Sequence, residues 1–427
     1  MAVSDPSDAS QAAPEQRKPS WKLVGPGLVV AATGVGSGDL VATLVAGNLF
    51  GYTLLWATIL GAIVKISLAE ATGRWHLATG RTIFDGWSSL GRWTHVYFAP
   101  YIVIWGLIYG AAAMSASALP LAALFPVLPL WAWGMICGVS GLVFVWFNQY
   151  AVFEKVMTVF VGIMFVTVVG LAIYVVPNVG EAILGLRPIV PNAEDSLMTT
   201  LALIGGVGGT ITMAAYGYWV NAKGWRDATW VRMMRWDNRI AYITTGLFVI
   251  ATLVLGAELL YATSITLTQD DAGLMALADV LEDRFGRVLS VIFLIGFFSA
   301  AYSSILGVWH GVSLMFADFI GHVRGKVNRP VEEREQSWAF RGYLLWLTFP
   351  PMLLLLFDRP FQLVLIYGML GAFFMPFLAL TLLWLLNSKR VPQPWRNGWV
   401  SNVGLAVSGL LFVVLCVNEL INQISSI

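Results

Sequence analysis

Long apolar stretches alternate with short polar ones along nearly the whole chain. Val156–Val176 and Leu363–Leu386 are mostly apolar and carry no charge, and roughly 20 such residues let an α-helix cross a hydrocarbon core. On that basis the chain predicts eleven spans, at about 23–50, 52–74, 96–118, 129–149, 153–176, 197–221, 239–261, 288–316, 341–357, 361–386 and 399–422. A transmembrane β-barrel would show shorter, alternating segments, so the pattern predicts an all-α polytopic membrane protein. Residues 1–20 are polar and rich in Ala, Pro and Ser, with no apolar core. They are expected to form a disordered cytoplasmic tail without a cleavable signal peptide, ahead of one transmembrane domain over 21–427.

Composition excludes the ordinary soluble classes. The chain is 58% hydrophobic and 11% charged, with a mean hydropathy of +0.75, whereas soluble domains carry about a quarter charged residues. A net charge of +1 gives no ground for a nucleic-acid partner. The basic residues are distributed unevenly. With the N-terminus inside, 20 of the 25 Lys and Arg fall in inside segments, and four (Arg187, Arg284, Arg287 and Arg359) fall outside. The positive-inside rule therefore predicts a cytoplasmic N-terminus and an outside C-terminus in a plasma (inner) membrane.

The remaining basic residue is Lys65, inside the second span. It precedes Arg74 by nine residues, roughly 13 Å at the helical rise, which is deep for snorkelling. Ionisable groups at such depth are functional by default. Lys65 is read as a coupling residue, either a fixed cation or a proton carrier. The structural alternatives are a pair with Asp39, Glu70 or Glu154, or exposure to an aqueous vestibule.

Two spans look broken. The first carries Gly34-Val35-Gly36-Ser37-Gly38-Asp39, and the sixth carries Gly205-Gly206-Val207-Gly208-Gly209-Thr210. Each glycine weakens a helix by about 1 kcal/mol relative to alanine. Glycine-interrupted spans at matching places in two halves point to an inverted-repeat secondary transporter with its substrate site at the breaks. The repeats would cover about 21–178 and 196–386, with an extra helix at about 398–422. The alternative is that the glycines only permit close helix packing.

Several motifs resemble the Nramp (natural resistance-associated macrophage protein) family of divalent-metal transporters. Gly25-Pro26-Gly27 is similar to the family's approach to span 1. Asp39-Leu40, Leu44-Val45-Ala46-Gly47, Phe50-Gly51-Tyr52, Leu54-Leu55-Trp56 and Thr79-Gly80-Arg81 follow its spans 1 and 2 without a gap. Gly208-Gly209-Thr210-Ile211, Ala300-Ala301-Tyr302-Ser303-Ser304 and Met375-Pro376-Phe377 resemble its motifs in spans 6, 8 and 10. The resemblance implies a LeuT-type fold of five plus five helices and an eleventh, working by alternating access.

The departures from that pattern change the expected chemistry. The family's metal-binding Asp-Pro-Gly-Asn stands here as Gly36-Ser37-Gly38-Asp39. Its span 6 Met-Pro-His aligns with Thr212, Met213 and Ala214, or keeps Met213 as the thioether if one residue is inserted. The span 3 carboxylates linked to proton movement have no counterpart in Tyr109–Ala116, and the span 10 Gln is Gly368.

What remains is a substrate-binding set of Gly36, Ser37, Asp39, Gly209, Thr212, Met213 and Tyr216. Asp39 and Met213 are the possible metal ligands, and Asp39 is alternatively an N-cap. Ser303 and Ser304 offer further hydroxyls. His310 lies in span 8, and no two histidines have metal-ligand spacing. Cys137 and Cys416 read as buried small hydrophobes. No nucleophile or phosphate-cradling motif appears, so neither an enzyme nor a cofactor is expected. The reading is a transporter of a small solute, a metal cation before others, with altered or lost transition-metal selectivity and proton coupling. A hard oxygen-rich site suits an ion such as Mg²⁺. The alternatives are transport of an organic amine or amino acid, and a non-transporting scaffold.

Overall fold

The glycine clusters decide where the helices stop. In the computed structural model, residues 15–175, 177–192, 196–206, 208–261, 279–325, 330–357 and 360–425 are described, with backbone alone for Ser37, Gly38 and Asp39 among others. The first span is two helices, α1 (Pro26–Gly34) and α2 (Ser37–Phe50), joined at Val35 and Gly36. Pro26 at the start of α1 has the fixed φ and missing N–H that suit a first helical position. The sixth span is α10 (Ser196–Gly206) and α11 (Thr212–Ala222). Gly208 and Gly209 between them have φ of 76° and 88°, a left-handed geometry that glycine adopts without a Cβ clash.

The other spans are α3 (Leu55–Thr79), α5 (Trp93–Leu124), α6 (Leu130–Phe147) and α7 (Tyr150–Met164), which continues through a π-turn into α8 (Gly170–Tyr174). Then come α12 (Val231–Leu259), α13 (Arg287–Val323), α15 (Trp338–Leu355), α16 (Pro360–Asn387) and α17 (Trp399–Ser425). Short helices α4 (Ile83–Leu90), α9 (Val179–Leu184) and α14 (Val331–Glu335) lie in connections. Among the described residues, seven helices are each long and apolar enough to cross a membrane. With the two broken pairs, α15 and α16, the expected eleven crossings are all helical.

Two expectations shift. Residues 1–14 of the expected disordered tail lie outside the described residues, but the tail does not extend to residue 20. The Arg17 N–H donates to the Thr229 carbonyl at 2.9 Å, and its guanidinium sits 4.1 Å from the Trp230 ring centroid. The eighth span, expected to end at 316, runs on to Val323. Its extra turns carry Asp318 and His322. They are held by Arg334 at 3.2 Å and Asp85 at 2.9 Å.

Packing divides the helices into two groups. α1, α2, α3 and α12 pack together, with α10 and α11 against α3; α5, α6, α13 and α15 pack together, and α13 also touches α1 and α11. The end of the molecule bearing α4, α14 and the 223–235 segment is the basic end of the sequence analysis.

Candidate functional site

The two broken helices cross backbone against backbone. A Cβ on Gly34 would fall on the carbonyl carbon of Gly208 and lie 2.8 Å from the Gly209 nitrogen; one on Gly209 would lie 3.0 Å from the Gly34 Cα and 2.6 Å from Thr212 Oγ1. Glycine is needed here because any side chain would force the two breaks apart. Gly36 faces α13, where an added Cβ would lie 2.7 Å from Ser304 Oγ.

A broken helix leaves carbonyls without intrahelical partners, and neighbouring helices satisfy them. Ser303 Oγ shares its proton between the Ala300 carbonyl of its own helix at 3.0 Å and the Ala32 carbonyl at 3.2 Å, Ser304 Oγ donates to the Thr33 carbonyl at 2.8 Å, and the Gly36 N–H donates to the Gly34 carbonyl at 2.8 Å. The Ser304 proton is thereby used, so the Tyr109 hydroxyl, 2.5 Å away, is the donor to Ser304 Oγ. The Ser-Ser segment of the sequence analysis therefore caps α1. On the other break, the fully buried Lys65 reaches across from α3 and its ammonium donates to the Gly209 carbonyl. Its Nζ lies 5.4 Å from the Phe412 ring centroid of α17. Two of the partners expected for Lys65 are committed elsewhere. Glu70 bonds Arg74 at 3.0 Å and Arg235 at 2.9 Å, and Glu154 bonds Lys223.

The predicted site residues do not all converge. Gly36, Gly209, Thr212 and Met213 lie at or beside the crossing, with Met213 and Thr212 buried. The hydroxyl oxygens of Thr210 and Thr212 are buried and have no hydrogen-bond partner among the described residues. Ser37 and Asp39 belong to the first turn of α2, and Gly36 is its N-cap, so the N-cap alternative for Asp39 does not hold. The Tyr216 hydroxyl points away from the crossing. It donates to Asp237 at 3.0 Å, near the Met234 carbonyl at 3.3 Å.

Sequence reasoning missed Asp237. This fully buried carboxylate accepts the N–H groups of Gly25 at 2.9 Å and Gly27 at 2.6 Å, and so caps the start of α1 from α12. An acid among basic residues near the start of a span was the available signal. Among the described residues no three His, Cys, Asp or Glu side chains gather into a metal-ligand group. The Tyr109–Ala116 part of α5 lies buried with no carboxylate in it.

At the basic end α11 is bonded to α13 twice. The Tyr218 hydroxyl donates to Asp318 at 2.6 Å, and the Trp219 indole N–H donates to His310 Nδ1 at 3.0 Å. Nearby, burial alone would raise the Asp85 carboxyl, but hydrogen bonds from His322 and Thr82 outweigh it and hold the group below its ordinary value.

Residues 27–422 match the family described as Natural resistance-associated macrophage protein-like, or Nramp. The divalent metal cation transporter MntH of Mycobacterium tuberculosis is 24% identical over 314 residues, covering 70% of this chain and 71% of its own. In fold, the chain is similar to the Eremococcus coleocola manganese transporter, with a TM-score of 0.76 at 16% identity over 98% of this chain and 92% of that one. It is also similar to MhsT, solved in complex with L-phenylalanine, with a TM-score of 0.60 at 15% identity over 94% and 98%. The fold is thus the LeuT type, all-helical and polytopic, and the match over residues 27–422 makes this chain a member of the Nramp family, a membrane transporter and not an enzyme.

Proposed function

We infer that the protein moves a divalent metal cation by alternating access through the crossing of α1–α2 with α10–α11, with transition-metal selectivity altered. One observation carries the reading: the buried hydroxyls of Thr210 and Thr212 lack partners among the described residues beside a crossing where several backbone groups have theirs. Buried polar groups are normally satisfied, so two orphaned oxygens on residues 210 and 212, at the start of α11, support a ligand or its water. Similarity to MntH, which is called a divalent metal cation transporter, supports the class of cargo. With Gly36 where the family has its ligand Asp, Asp39 and Met213 are left with hydroxyls and carbonyls, and a mainly oxygen set favours a hard, partly hydrated ion such as Mg²⁺. Proton coupling through span 3 carboxylates is not available to this chain. In this reading Lys65 is a fixed cation that holds the Gly209 carbonyl through the cycle. One helix group rocks against the rest, the basic end faces the cytoplasm of an inner-membrane protein, and the C-terminus lies outside.

Uptake of Mn²⁺ and Mg²⁺ into proteoliposomes tests this. The expected result is Mg²⁺ flux that falls about tenfold, equivalent to ~1.4 kcal/mol of binding, in Asp39→Asn. If neither ion binds or moves, the metal reading fails; if Mg²⁺ moves equally well in Asp39→Asn, the assignment of the site fails.

A second reading is favoured by the Lys65 ammonium, which already holds a carbonyl at the break. A built-in cation there suits an organic solute whose carboxylate meets a half-helix N-terminus. MhsT, of similar fold, is solved with an amino acid. Counterflow of amino acids and amines in the same proteoliposomes separates the two readings.

A further inference from the structure

A histidine at the basic end is fixed in one protonation state by its neighbours. The His310 ring is buried on α13, stacked on Phe153 of α7 at a centroid distance of 4.4 Å. An indole N–H can only donate. The Trp219 bond to Nδ1 therefore requires a lone pair on Nδ1, and the ring proton must be on Nε2, where it donates to Glu335 at 3.0 Å. With the α11–α13 contact made, His310 is neutral. A proton on Nδ1 would set two donors face to face and break the contact.

The contact links the basic end to the crossing. Trp219 lies on α11, the half-helix that begins with Thr212 and Met213. It is packed so closely that a Cβ on Gly311 of α13 would fall on its ring. α11 cannot leave α13 without withdrawing this indole and uncovering Nδ1.

We propose that His310 Nδ1 is a proton-binding site that is closed by Trp219 and open only when α11 has separated from α13. The bound proton comes from water in the opened vestibule and returns to it as Trp219 re-docks. Glu335 of α14, whose side chain is 21% exposed, lies 3.0 Å from Nε2 and faces the imidazolium. A ligand that binds only one state shifts the population towards it, so acid at the basic end holds that end open. The other groups around the ring have partners of their own. Arg334 of α14 pairs with Asp318 of α13, Tyr218 of α11 donates to the same Asp318, and Glu154 of α7 pairs with Lys223. Tyr150 of α7, with its centroid 6.0 Å from the ring, is the exception: its buried hydroxyl has no hydrogen-bond partner among the described residues.

Amide hydrogen exchange over 212–222, read in nanodiscs without added metal and corrected for intrinsic rates, tests the site. In the wild type, protection should fall as the pH drops from about 7.5 to about 5.5, by up to about tenfold per pH unit for one proton. His310→Gln keeps an acceptor for Trp219 but binds no proton, and should stay protected at both ends of the range. Trp219→Phe removes the donor, and should be poorly protected throughout with little pH dependence. A flat wild-type profile overturns the proposal. So does a His310→Gln or, if that variant does not fold, a His310→Asn profile that follows the wild type. The proposal rests on alternating access and not on the cargo, so failure of metal uptake leaves it standing, and its own failure leaves the metal reading intact.

Discussion

Under the proposed function, Thr212 is a residue that is costly to the empty protein and useful to the loaded one. Its hydroxyl oxygen is buried without a partner among the described residues, an arrangement that costs about 1–3 kcal/mol. Valine has nearly the same shape and no polar atom. Thr212→Val is therefore expected to raise the Tm of the protein without ligand while reducing the further rise produced by Mg²⁺. Differential scanning fluorimetry with and without the ion reads both, and a fall in the ligand-free Tm would contradict the assignment. Thr212 was legible in the sequence because it follows the glycines that end the neighbouring half-helix. Tyr216 was misread for the opposite reason. Its position one turn further along α11 says nothing of direction, which is decided by Asp237 on α12, a contact between residues far apart in the chain.

The broken helices themselves were legible. Glycine spacing located both interruptions because the cause is local: clustered residues without a Cβ lose helical preference, and at the second break Gly208 and Gly209 take left-handed φ. How the interruptions are stabilised was not local. The Ser303–Ser304 pair was visible as a motif, but its task of donating to the Ala32 and Thr33 carbonyls depends on α13 lying beside α1. Ser304→Ala would leave the Thr33 carbonyl without this donor and the Tyr109 hydroxyl without this acceptor. A loss of about 1–3 kcal/mol is expected, read as a lower denaturation midpoint, and Ser303→Ala should cost less because the longer 3.2 Å bond is the weaker of the two. Equal effects would mean that the serines matter as helix-packing residues only. The length of α13 was also missed. Asp318 and His322 look like the start of a loop in one dimension, but four residues apart they share a helix face, and Arg334 and Asp85 complete it.

Taken whole, the molecule was legible as eleven crossings with an uneven charge distribution, and its basic end is held by ionisable contacts between elements distant in sequence. Asp85 gives these a pH signature. Its carboxyl is held below the ordinary value in the folded protein, so the stabilisation is present above the unfolded pKa of about 3.9 and is lost as the pH falls through the lower folded value. The Tm difference between wild type and Asp85→Asn should therefore shrink below about pH 4. A difference unchanged down to pH 3 would show that the side chain contributes through its neutral capping bond to Thr82 alone.

The Lys65 ammonium has an electrical consequence. In the fixed-cation reading it is a charge placed within the membrane's thickness and bonded to the Gly209 carbonyl at a break between half-helices. Any displacement of α3 along the bilayer normal carries that charge through the transmembrane potential. Moving it through a tenth of the field is worth about 0.2 kcal/mol at 100 mV, enough to bias the resting orientation of the empty carrier. The protein should then give a small gating current when the voltage is stepped with no solute on either side, and Lys65→Met should abolish the part that this charge contributes.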